Sequence, residues 1–106
     1  VWTLIEIMEM ETLEGKARLI ADTYGLDKQL DIMLEECAEL IKAICKYKRY
    51  GDTKNLKEEM GDLRLTLMEN SYLLGAEEEI REIIDYKADR TINLAKEAGV
   101  IKTEGE

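Results

Sequence analysis

The sequence predicts an all-α protein: a helical bundle of about four helices in a single small domain spanning residues 1–106, with its core at about 26–98. Three observations predict it. Leu, Ile, Glu, Lys, Met and Ala dominate, proline and phenylalanine are absent, and such residues favour helix. Apolar residues recur at helical spacing through most of the chain. Gly25, Gly51, Gly75 and Gly99 then punctuate that pattern where helices end.

Taken in order, residues 1–10 are ambiguous. The first clear helix runs from about Glu11 to Tyr24 and stops at Gly25. Asp27 can cap the second, whose stripe is Leu30, Met33, Leu34, Cys37, Leu40, Ile41, Ile44 and Cys45, and which ends near Tyr50. Asn55 with Glu58 resembles a capping box for the third, with Thr53 as the alternative cap. This helix runs to Leu74 and is apolar nearly all round beyond Asp62. Leu56, Met60, Leu63, Leu67 and Leu74 make one face, and Leu65, Met68, Tyr72 and Leu73 cover most of the rest. Burial on several sides is expected. The fourth helix covers about Ala76 to Ala98, its first turn carrying Glu77, Glu78 and Glu79 toward the positive end of the dipole. Residues 100–106 read as a frayed tail.

Composition excludes several functions. A net charge of −9 lacks the basic footprint of nucleic-acid binding. No apolar run approaches the roughly 20 residues that span a bilayer. Val1–Met8 is apolar but lacks a basic flank and a small-residue cleavage site, so no signal peptide is expected. Cys37 and Cys45, eight apart on one helix, are too distant to pair and read as buried, reduced thiols of a cytoplasmic protein. The chain has no histidine, which rules out His-based triads and imidazole-ligated metals. Any metal must be held mainly by carboxylates, and that suits Mg²⁺ or Mn²⁺.

Two acidic pairs carry the chemistry. Glu36/Glu39 and Glu59/Asp62 are each spaced i,i+3, which makes their carboxylates neighbours on a helix face. Alone, such a pair is ordinary: Glu11/Glu14, Glu79/Glu82 and Glu82/Asp85 share the spacing. The central pairs differ in occupying consecutive helices, with 19 residues between Glu39 and Glu59. Glu36/Glu39 fits a solvated face. Glu59/Asp62 enters an apolar helix, where carboxylates need a cation or many donors. On the fourth helix Lys87 falls at the centre of a stripe of Ile80, Ile83, Ile84, Thr91 and Leu94, with Arg90 at its edge. Lys87 either snorkels to water or, with Arg90, aims at phosphate oxygens. In an ideal hairpin the two acidic pairs would be offset by roughly 10 Å. The helices must therefore end elsewhere or cross at an angle.

Glu36-x-x-Glu39 followed by Glu59-x-x-Asp62, within Glu35-Glu36-Cys-Ala-Glu39-Leu and Glu58-Glu59-Met-Gly-Asp62-Leu, resembles the signature of the MazG-type all-α nucleoside triphosphate pyrophosphohydrolases. The similarity covers about Leu26 to Asn93. It implies a MazG-like helical bundle whose core is completed by forming a homodimer or homotetramer. It also implies Mg²⁺-dependent cleavage of a nucleoside triphosphate between its α- and β-phosphates, giving a monophosphate and pyrophosphate. Metal binding would carry to Glu36, Glu39, Glu59 and Asp62, and phosphate binding to Lys87 and Arg90. Base-recognising residues do not carry over, as no aromatic pocket can be matched. Glu35 or Glu58 is available to orient a water as base. Two other readings share these features. One is an acidic helical dimerisation or regulatory module without catalysis. The other is a phosphoribosyl-ATP pyrophosphohydrolase, supported by the metal motif alone.

Overall fold

The computed structural model describes residues 1–102, apart from the side chain of Glu9; the last part of the expected tail, residues 103–106, lies outside them. The all-α expectation is met among these residues. The helices are α1 (Leu4–Glu9), α2 (Leu13–Tyr50), α3 (Thr53–Leu73) and α4 (Glu77–Glu97). Two compact units make up the chain: Val1–Gly75, which holds α1 to α3, and the segment from Ala76 on, which holds α4.

The ambiguous N-terminus is helical. Thr3 and Glu6 form a reciprocal capping box, with the Glu6 N–H donating to Thr3 Oγ1 at 3.1 Å and the Thr3 N–H to Glu6 Oε2 at 2.9 Å. Thr12 caps α2 by accepting from the Gly15 N–H at 2.9 Å. The two expected helices on either side of Gly25 are arms of one long α2, joined where Gly25 takes φ 81° and ψ 169°. That conformation is open only to glycine, so the kink follows from this residue.

α2 ends in a left-handed Gly51, and Asp52 caps α3 by accepting from the Asn55 N–H at 3.1 Å. Neither Asn55 nor Thr53 is the cap. An aspartate one residue after the glycine reaches the free amide at the third helical position. α4 closes in a Schellman motif at Gly99, with the Val100 N–H donating to Ala95 O and the Gly99 N–H to Lys96 O.

Within the first unit α3 folds back along α2, and α1 touches α2. Buried Gly15, Ala17, Ala21 and Ala43 keep α2 smooth where its neighbours approach. Two further contacts tie α2's first arm to α3. The Tyr72 hydroxyl donates to the Asp22 carboxylate at 2.9 Å, and the Arg18 guanidinium stands 5.5 Å from the Tyr72 ring centroid.

Expected burial is corrected in three places. α3 buries Thr66, Glu69 and Asn70, whereas Met60, Leu67 and Leu74 are exposed. Its most deeply buried positions are polar, and Leu63, Leu65, Met68 and Leu73 beside them are half-buried. Cys37 and Cys45 are free but exposed, on the same outward stripe as Leu34, Ile41 and Ile44. On α4 nothing is buried, and Ile83, Ile84, Lys87 and Leu94 are exposed. No helix among the described residues is long and apolar enough to cross a membrane.

Candidate metal centre

The register between α2 and α3 builds the site. Asn70 sits on α3 opposite Gln29 of α2, its Nδ2 donating to the Gln29 carbonyl at 3.1 Å and to its own helix at Thr66 O, 2.9 Å. Glu36 stands seven residues after Gln29, and Asp62 eight before Asn70. Both intervals are about two helical turns. One fixed contact therefore brings Glu36 and Asp62 to the same level, with Glu59 one turn away on α3.

Oxygens of Glu36, Glu59 and Asp62 all lie within 4.8 Å of one another. The offset expected from an ideal hairpin is absorbed by this register, since α2 runs on past the level where α3 begins. Glu39 is not part of the three-carboxylate cluster. It is exposed and pairs with Lys42 at 3.6 Å. Glu35 and Glu58 are exposed neighbours of the cluster. Lys87 and Arg90 belong to α4 in the second unit, where both are exposed.

Electrostatics mark two carboxyls of the cluster, Glu36 and Glu59. The Glu36 carboxyl is pushed above the ordinary range first by desolvation, then by the charges of Asp62, Glu59, Glu39 and Glu35. Glu59 is raised by desolvation, Asp62, Glu39 and Glu58, with Lys46 opposing. Expectation holds for Glu39, which is exposed, and Glu59, which is half-buried, but is reversed for the other two: Glu36 is half-buried with Oε2 enclosed and unpartnered, whereas Asp62 is exposed. Three converging carboxylates and an orphaned acceptor suit a hard divalent cation with oxygen ligands.

A groove of about 460 Å³ opens from the cluster, with Glu36 and Asp62 in its wall. Ile20, Tyr24, Ile32 and Leu65 supply apolar lining, and Lys28, Gln29, Thr66 and Glu69 supply polar lining. Gln29, Glu69, Asn70 and the groove position of Tyr24 escape sequence reasoning. A signal exists in hindsight: Glu69 and Asn70 interrupt an apolar helix two turns after Asp62, on the face that carries it.

With this geometry in place, the family comparison is decisive. Residues 25–80 match the model of the MazG nucleotide pyrophosphohydrolase domain. The chain belongs to the MazG family. The match begins at the Gly25 kink and contains all four acids of the signature, so the MazG domain includes α2's second arm and the whole of α3. No curated protein and no solved structure matches the chain.

Proposed function

We propose that this MazG domain is a Mg²⁺-dependent nucleotide pyrophosphohydrolase, cleaving a nucleoside or deoxynucleoside triphosphate between its α- and β-phosphates. The observation that carries this reading is the cluster of Glu36, Glu59 and Asp62 within 4.8 Å, opening on a groove large enough for a small molecule. In our reading Glu36, Glu39, Glu59 and Asp62 hold the metal. Glu39 joins by releasing Lys42, an exposed pair of little intrinsic strength. Mg²⁺, or Mn²⁺ in its place, would supply charge neutralisation at the polyphosphate and activation of water.

The chain's own groups do the rest. Glu35, or alternatively Glu58, accepts the proton of a water attacking phosphorus, the bond to the bridging oxygen breaks, and pyrophosphate leaves. Lys87 and Arg90 would neutralise negative charge on that leaving group. The free thiols Cys37 and Cys45 support a reducing, cytoplasmic setting. Exposed Leu34, Ile41, Ile44, Met60 and Leu67 support assembly as a homodimer or homotetramer.

Pyrophosphate release from nucleoside triphosphates with Mg²⁺ tests the proposal. Glu59→Gln and Asp62→Asn should abolish release while helical circular dichroism persists; persistent release would remove these acids from the mechanism. The same apolar surface favours a second reading, a non-catalytic dimerisation module. Such a module would show no saturable, Mg²⁺-dependent calorimetric binding of a non-hydrolysable triphosphate.

A further inference from the structure

We propose that the groove wall formed by Gln29 and Glu69 reads the amino-bearing edge of a nucleobase, cytosine or adenine, in preference to the keto edge of uracil or thymine. This deepens the nucleotide reading above and rests on it. Gln29 is only 1% exposed, lines the groove, and has neither Nε2 nor Oε1 hydrogen-bonded. A buried amide with both functions free is costly unless something external binds it. Its backbone is clamped as well, because Asn70 donates from one nitrogen to the carbonyls of Gln29 and Thr66. Those two carbonyls require a donor and so settle which end of the Asn70 amide is nitrogen. The Gln29 side chain is thus presented from a rigid element with its hydrogen-bonding capacity unspent.

Glu69, 2% exposed, lines the same groove. The enclosed part of the wall therefore offers the acceptor Gln29 Oε1, the donor Gln29 Nε2 and the Glu69 carboxyl, which burial pushes above the ordinary range and which, when ionised, is a second acceptor. Lys28 and Tyr24 are exposed lining residues. Cytosine and adenine present an amino group with two N–H donors beside a ring-nitrogen acceptor, which matches that inventory. Uracil and thymine present two carbonyls flanking one N–H, and they would set a carbonyl against the carboxylate. Ile20, Ile32 and the Tyr24 ring supply the apolar and stacking surface that a base face needs. Gln29 and Glu36 lie seven residues apart, about 10 Å along α2, a span that a sugar bridges between base and phosphate.

Calorimetric binding of CMP, AMP and UMP to the metal-free full chain tests the subsite without relying on cleavage. CMP or AMP should bind about tenfold or more tightly than UMP, in line with loss of a buried hydrogen bond. The CMP and AMP arms show which ring fits. Gln29→Met should erase the preference with helical content intact, and Glu69→Gln, which adds a donor, should shift it toward UMP. Equal or tighter UMP binding by the wild type, or an unchanged ratio in both variants, would overturn the inference. Pyrophosphate release with Mg²⁺ separates the two levels. Release without base preference overturns the subsite and leaves the enzyme, whereas selective monophosphate binding without release does the reverse.

Discussion

At the scale of single residues, the site is a place where the chain accepts instability. Glu36 and Glu59 have carboxyls raised above their unfolded values, so the native state holds protons more tightly than the unfolded state. Stability must then fall as pH rises through the window from the ordinary carboxylate range up to the raised folded values. Below that window the penalty disappears. Chemical denaturation of the metal-free protein between pH 4 and 8 should show this loss of stability, and Mg²⁺ should offset it at the upper end. Glu36→Gln removes a half-buried charge whose carboxyl is raised by desolvation and by its acidic neighbours. It should raise the melting temperature of the metal-free protein near neutral pH while abolishing Mg²⁺-dependent pyrophosphate release; a lower melting temperature would mean that Glu36 is stabilised by its surroundings. Gln29→Met acts similarly on a neutral group: replacing a buried, unpaired amide should stabilise the empty protein by about 1–3 kcal/mol in urea melts. The acids were legible because helical spacing is arithmetic. Their ranking was not, since enclosure of Glu36 depends on α3 lying over it. Gln29 gave no signal, because a glutamine on a helix reads as surface until a partner helix covers it.

At the scale of elements, Gly25 bends α2 so that both arms reach α3, the first through Asp22 and Tyr72, the second through Gln29 and Asn70. No atom would obstruct a Cβ at Gly25, so the cost of adding one is conformational alone. Gly25→Ala should destabilise by about 1–3 kcal/mol by calorimetric melting. It should also weaken nucleotide binding, because Ile20 and Tyr24 on the first arm would leave the groove wall. An unchanged melt would show that α2 tolerates a straight path. Helix positions were readable to within a few residues from glycines and apolar periodicity. Caps were less so. Asp52 and Asn55 both suit a helix start, and only the path of the turn after Gly51 decides between them.

At the scale of the whole molecule, the lone chain buries little apolar surface. Its buried apolar residues are Ala17, Ala21 and Ala43, and Gln29 is its largest fully buried side chain among the described residues. Large side chains such as Leu34, Ile41 and Ile44 stay exposed. If that face pairs with a second copy, light scattering should give twice the chain mass or more, and Ile41→Asp should yield monomer with a clear loss of stability. On a truly solvated face the same change would stay within about 0.5 kcal/mol. The sequence by itself determined the helices, their glycine breaks and the acidic constellation, because these follow from local propensity and from spacing along one element. Only the tertiary structure decided which carboxylates meet, which one is enclosed, and that the most deeply buried positions of α3 are polar. Those outcomes depend on the register of two helices, set by a contact between residues 41 apart in the chain, and no periodicity within either helix encodes that register.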